Sequence, residues 1–224
     1  MNRDLIVFDW ETGSRDAETC QVTQIAALAL DPRNFRLKGT FNSEIWAFTN
    51  DDEARAEGLA PLEEDALRIT RKTRENIAAA PKLKTVWPKF VQFVNKYNWK
   101  GTPFFAPIPA GYNINNFDLP IARRMCKKFG PWDKKDNKPT LFSSVYKIDV
   151  MDDMYLWTEA DSNVKSISMK ALRERFGMKS DDAHDALQDV KDTANIMIKL
   201  MKTRRIVYRN LDFEKAFADG LYIE

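Results

Sequence analysis

The sequence predicts an α/β fold, a sheet covered by helices on its faces, and three observations predict it. Short apolar runs rich in β-branched residues come first, and strand-like and helix-like patterns then alternate along the chain. The 224 residues suit one large α/β domain better than two very small ones. Hydrophobic residues at 44% and charged residues at 30% form an ordinary globular balance, which excludes wholesale disorder.

The elements follow in order. Leu5-Ile6-Val7-Phe8 reads as a buried strand that ends in Asp9-Trp10-Glu11-Thr12-Gly13. Residues 22–30 (VTQIAALAL) read as a second strand, closed by Asp31-Pro32, and 41–48 (FNSEIWAF) as a third. Residues 53–80 are charged and Ala-rich, so they predict helix with breaks. Val86, Phe90, Phe93, Val94 and Tyr97 recur at helical spacing and predict an amphipathic helix over 85–97. Residues 104–112 carry too much Pro and Gly for more than a short, irregular strand. A helix over 118–129 is stopped by Gly130-Pro131. The polar, Lys-rich stretch 132–144 predicts a surface loop or insertion, and 145–150 a short strand. A helix over 168–176 ends at Gly177, and a long final helix runs from about 182 to 202. One unit is thus expected to span 1–202, with 203–224 a tail packed on it.

Several function classes are excluded early. Lys+Arg is 35 and Asp+Glu 33, so the net charge of +2 leaves no cationic nucleic-acid coat, only room for a local basic strip. Cys20 and Cys126 cannot build a disulfide framework and fit a reducing compartment. No apolar run approaches the roughly 20 residues of a membrane helix. The opening Met1-Asn2-Arg3-Asp4 leads into an apolar run broken by acids, unlike a signal peptide, so a cytoplasmic protein without membrane partners is expected.

Three places carry chemistry. Asp9 and Glu11 lie two apart on a strand, so both carboxylates share one face. Paired like charges there suit either a solvated strand end or a divalent cation that relieves their repulsion. Asp118 follows Gly111-Tyr112-Asn113-Ile114-Asn115-Asn116-Phe117 and could be a plain helix N-cap, with Pro120 in the first turn. That leaves the hydrogen-bonding run before it unexplained. Asp189 sits about 60° round from Ala186, at the edge of the last helix's apolar stripe. An acid there is awkward in a core and natural beside a metal. The chain's single histidine, His184, stands five residues earlier, at the mouth of such a site.

In their order, Phe8-Asp9-Trp10-Glu11-Thr12-Gly13, then the run from Gly111 to Asp118, then Ala183-His184-Asp185-Ala186-Leu187-Gln188-Asp189 resemble the three motifs of the DnaQ-like 3′–5′ exonucleases, the histidine branch of the DEDD superfamily. Gln24-Ile25-Ala26, Ile69-Thr70 and Ile148-Asp149-Val150 agree with the same pattern, and the resemblance covers about 4–202. It implies a ribonuclease-H-like fold, a central mixed five-stranded sheet flanked by helices. It also implies two divalent cations, Mg²⁺ with Mn²⁺ as substitute. Asp9, Glu11, Asp118 and Asp189 match the metal ligands and His184 the general base. Thr12, Gly13, Tyr112 and Asn113 match positions expected to hold the terminal nucleotide. The second motif departs from the branch: Tyr112 stands where many members carry His, with one more residue before Asp118, which looks closer to exonuclease I.

The implied activity is release of nucleoside 5′-monophosphates from a free 3′ end, with single-stranded DNA the favoured substrate and a polymerase or other replication protein as partner. An exoribonuclease and a silent nucleic-acid- or polymerase-binding scaffold are the alternatives, and the presence of all five site residues argues against the scaffold. Arg123, Arg124, Lys127, Lys128, Lys134, Lys135 and Lys138 form either a solvated face or a phosphate track.

Overall fold

Burial along the first strand decides the architecture. Its residues are covered on both faces nearly to the end, so helices must lie above and below it. The computed structural model describes residues 3–178, 185–212 and 214–215. The strands are β1 (Leu5–Thr12), β2 (Val22–Leu30), β3 (Leu37–Glu44), β4 (Ile108–Gly111), β5 (Trp132–Asp133), β6 (Lys138–Pro139) and β7 (Ile148–Asp149). The helices are α1 (Asp51–Ala56), α2 (Glu64–Thr70), α3 (Arg74–Ala79), α4 (Leu83–Asn95), α5 (Asp118–Phe129), α6 (Val150–Thr158), α7 (Met169–Phe176) and α8 (Ala186–Asn210).

The main sheet has five strands in the order β3-β2-β1-β4-β7. β1 pairs antiparallel with β2 and parallel with β4; β2–β3 is antiparallel and β4–β7 parallel, so the sheet is mixed, as expected. One face carries Ile6, Phe8, Trp10, Ile25 and Ala27 under α4 and α5, whose Trp87, Phe90, Ile121 and Met125 complete an aromatic core. The other carries Leu5, Val7, Ala26 and Leu28 under α6, α7 and α8, which add Met154, Leu172, Val190 and Met197. Each such fully buried side chain contributes roughly 1.5–3 kcal/mol. The alanines of β2 (Ala26, Ala27 and Ala29) are completely buried and let both helical layers approach.

Several elements differ from the sequence reading. β3 begins at Leu37 and ends at Glu44, because Trp46 and Phe48 leave the sheet to pack edge to face. The side-chain amide of Gln21 takes over Phe48, accepting from its N–H and donating to its carbonyl. The helical stretch before α4 is three short helices, capped by the side chains of Asn50 and Thr73 and interrupted where Arg71 turns left-handed. Residues 132–144 are not a mere surface loop: β5 and β6 form a small hairpin, after which Leu141 and Phe142 enter the aromatic core. The strand expected over 145–150 shrinks to β7, and Val145 is exposed. α6 was not expected at all. α8 runs past 202 to Asn210, and its far end is tied down by Arg204 on Asp153 and Arg205 on the carbonyls of Pro32 and Arg33.

Candidate active site

The sheet's topology opens a notch at the end of β1. β4 pairs with β1 only as far as Val7, so beyond it the β4-side hydrogen-bonding groups of β1 need other partners. One comes from α5: the Trp10 amide donates to Asp118 Oδ1 at 3.2 Å. Asp118 is therefore not the plain N-cap that its position allowed. Phe117 occupies the cap, and Asp118, 2% exposed, reaches back to the strand from the first helical residue. This is the crevice at the carboxyl end of parallel strands where α/β proteins place their ligands.

The loop that delivers Asp118 is built by Asp149, at the end of β7. Its carboxylate accepts from the amides of Asn113 and Asn115, each at 3.0 Å, and from the Met151 amide that opens α6. Asn113 adopts a left-handed conformation, and its side chain accepts from Asn116 Nδ2. At Gly111 a Cβ would stand 3.0 Å from the Phe8 carbonyl, so a side chain there would press on β1.

Asp9 and Glu11 lie on the α8 side of β1, two apart as the strand period requires, opposite Ala26 and Gln24 of β2. Phe8 and Trp10 alternate with them and face the aromatic core. The register slips just after Glu11, a bulge of the kind that re-aims side chains near active sites. Asp189 arrives from the first turn of α8, partly exposed. Its carboxylate accepts from Arg173 of α7 at 2.6 Å.

Electrostatics shows that these acids share one space. Burial pushes the Asp9 carboxyl well above its usual range, Asp189 pushes it further, and Arg173 opposes the rise. Glu11 is raised to about 9, by burial first, then by Asp9 and Asp189, against the pull of Lys72. Asp118 is raised by burial and by Asp9, and the Trp10 amide opposes this. Burial and mutual repulsion thus disfavour the charged forms of Asp9, Glu11 and Asp118, the condition that a divalent cation relieves. An all-carboxylate donor set suits a hard cation such as Mg²⁺. Among the described residues no three His, Cys, Asp or Glu side chains close around one point at ligand distance.

The remaining expected site residues are distributed as follows. His184 lies outside the described residues. Gly13 packs so close to Leu62 that a Cβ would fall 2.3 Å from its Cδ2. The Gly13 amide already donates to the Gln21 carbonyl, so it is not a free donor for a nucleotide. Thr12 Oγ1 donates to the Ser14 carbonyl. The Tyr112 hydroxyl donates to the Ile167 carbonyl, and burial raises it to about 12, which makes it a structural donor and a poor base. The expected basic strip is partly consumed: Arg124 binds the Cys20 carbonyl, Arg123 covers Trp132 and Lys138 pairs with Asp136.

Sequence reasoning missed a polar network behind Glu11. Gln24 donates to Asp185 Oδ2 and Asn42, and accepts from Lys72, which also pairs with Glu44 at 2.6 Å. Asp185 caps α8 through the amides of Leu187 and Gln188. Beside this network runs a groove of about 750 Å³ lined by Arg71, Lys72, Asn76, Asp185 and Lys191 among others. A buried glutamine inside a strand was the one available signal; Lys72 gave none.

Comparison with known proteins agrees with this fold. A family model described as an exonuclease, RNase_T, matches residues 6–197. The PolC-type DNA polymerase III of Caldanaerobacter subterraneus subsp. tengcongensis is 24% identical over 199 residues, which are 89% of this chain and 12% of that protein. E. coli exonuclease I in complex with a dT13 oligonucleotide superposes with a TM-score of 0.68 at 20% identity, over 93% of this chain and 43% of that one. Exonuclease I of Methylocaldum szegediense gives 0.65 at 20% identity, over 96% of this chain and 45% of that one. These structural likenesses establish the ribonuclease-H-like fold, and the chain spans less than half of either exonuclease.

Proposed function

From the premise that this chain belongs to the RNase T exonuclease family, in the DnaQ-like DEDD group, we propose that it is a metal-dependent 3′–5′ exonuclease that releases nucleoside 5′-monophosphates, with single-stranded DNA as its favoured substrate. The observation that carries the reading is the convergence of Asp9, Glu11, Asp118 and Asp189 at the end of β1, where burial and mutual repulsion hold three of the four above their normal range. Asp9, Glu11 and Asp189 would hold one divalent cation, and Asp9 with Asp118 a second. Such a pair supplies charge stabilisation for the scissile phosphate and for the leaving 3′ oxygen.

The chain's own residues do the rest. Asp118 is fixed from two sides, by the Trp10 amide and by its helix, so it reaches the site without rearrangement. His184 is proposed as the base that removes the attacking water's proton near neutral pH. Thr12, Gly13, Tyr112 and Asn113 border the end of β1 and the Asp118 loop. We assign the 3′-terminal nucleotide to that border, with Gly13 contributing space and not its amide. Exposed Lys127, with its neighbours Arg123 and Lys128, would follow the strand's phosphates. The E. coli protein's complex with dT13 and the PolC-type match favour single-stranded DNA and a replication partner over RNA clearance. The unit is taken to include all of α8.

The test is a digestion panel of end-labelled single- and double-stranded DNA and RNA with Mg²⁺, Mn²⁺ or EDTA. Stepwise shortening of single-stranded DNA from the 3′ end, abolished by EDTA and by a blocked 3′ terminus, is expected. Undiminished digestion after metal removal overturns the mechanism, internal cuts overturn the exonuclease reading, and preference for RNA overturns the substrate.

A further inference from the structure

Arg173 of α7 is nearly fully buried, and its charge lies beside the acid cluster. Its guanidinium is divided between two carboxylates one helical turn apart on α8. Nη2 donates to Asp189 Oδ1 at 2.6 Å, and Nε donates to Asp192 Oδ2 at 2.7 Å. Asp192 is itself 3% exposed, and its other oxygen accepts from Gln188 at 2.8 Å. A chain of directed bonds thus runs Gln188–Asp192–Arg173–Asp189 and ends on one oxygen of Asp189.

Such a construction is expensive as a source of stability. Two carboxylates and a guanidinium lose most of their hydration, and buried ion pairs of this kind are often replaceable by apolar residues without loss of stability. What the apolar replacement cannot do is aim a carboxylate. A planar guanidinium whose Nε is fixed on one acid presents its Nη2 in a set direction to the other. Asp189 stands in the first turn of α8, partly exposed, with the Arg173 guanidinium on its Oδ1.

We propose that Arg173, locked by Asp192, is a positioning residue that holds Asp189 in the orientation for cation binding and sets the affinity of the site for its divalent ion. The inference rests on the metal-dependent reading above. Asp192 is bonded to Arg173 and Gln188 and would act on Asp189 through Arg173. Arg173 tethers Asp189 through Oδ1.

The experiment measures Mn²⁺ affinity of the substrate-free protein by titration calorimetry, and kcat and KM on a single-stranded oligonucleotide, well below each variant's Tm. Arg173→Lys keeps the charge and loses the fork. Asp192→Ala loses the anchor. Outer partners of metal ligands typically carry 10–100-fold in affinity or activity, so both should weaken Mn²⁺ binding and lower kcat by about 10-fold or more, with KM nearly unchanged. The double variant Arg173→Met/Asp192→Leu removes both buried charges and should keep or raise Tm while still losing Mn²⁺ affinity. That combination separates aiming from folding, and it remains informative where a single variant fails to fold. A double variant with the parent's Mn²⁺ affinity and kcat overturns the positioning role and leaves the metal-dependent reading standing. A parent that binds no divalent cation overturns that reading, and the role with it.

Discussion

The last half of β1 shows two opposite solutions on one strand. Phe8 and Trp10 point into the aromatic core, where Phe8 stacks on Phe142 at 5.0 Å and Trp10 on Trp87 at 6.1 Å. Asp9 and Glu11, interleaved with them, point to the other side and carry charges that burial disfavours. One face stores stability and the other spends it. The difference teaches how a small α/β domain keeps repelling carboxylates in register: the strand is gripped from behind by large apolar side chains, so the acids in front cannot move apart. The role of Trp10, opaque in the sequence, is this grip.

The comparison breaks most visibly at its acidic half. Asp9→Asn should lower hydrolysis by several kcal/mol of transition-state stabilisation, about 10³-fold or more, while raising Tm in EDTA. The rise is the informative part, because removing a charge that burial disfavours stabilises the metal-free fold. A variant that loses both activity and Tm would show Asp9 to be a structural acid.

The aromatic half should answer in the opposite sense. Trp10→Ala empties a site buried against Trp87 and Phe90 and should cost about 3–5 kcal/mol of stability by denaturant unfolding. Its turnover per folded molecule at low temperature should stay within about tenfold of the parent, since the group that touches Asp118 is the backbone amide. Trp10→Phe sharpens the contrast, because it also removes an indole N–H that has no partner among the described residues. It should cost much less than the alanine variant.

Next in size is the pH response of the metal-free protein. Glu11 titrates near 4.5 as a free side chain and at about 9 in the fold. Between those values the folded state keeps a proton that the unfolded state has lost, so stability is fully present below about 4.5 and falls as pH rises toward 9. Thermal unfolding in EDTA should show Tm falling across this window by about 10 °C or more. Mg²⁺ should restore it, and more so at pH 9 than at pH 5. A Tm that is flat with pH, or Mg²⁺ stabilisation that is largest in acid, contradicts the crowding of charges in front of β1.

How far all this could be read in advance depends on the kind of signal. β1 and β2 were legible because uninterrupted apolar runs have few other fates, and α5 because Gly130 ends it. The order and spacing of the four acids were legible, and the fold brings them within electrostatic reach of one another. α6 was not, because its exposed Tyr155, Leu156 and Trp157 are consecutive and erase the helical period. Leu141 and Phe142 were hidden among lysines and prolines. The partners that aim the acids were invisible for a general reason. Arg173 sits in a charged Arg-Glu-Arg run that reads as a solvated helix face, and only the packing of α7 on α8 turns it inward.

Asp149 belongs to that hidden set and gives the smallest effect. It lies behind the site, off the acidic face of β1, and its task is to shape the loop before Asp118. Asp149→Asn keeps one acceptor oxygen for the amides of Asn113 and Met151 but turns an NH₂ toward the amide of Asn115, so one charged hydrogen bond is lost and two donors face each other. The expected cost is about 1–2 kcal/mol of stability, or roughly 2–8 °C in Tm. The Asp118 carboxylate would lose part of its placement and not its ligand atoms, so kcat should fall by less than about tenfold, far short of the Asp9→Asn loss. If Asp149→Asn instead abolished turnover with Tm unchanged, Asp149 would have to be counted among the acids that meet the substrate, and the division of β1 into a gripping face and a working face would need a third party.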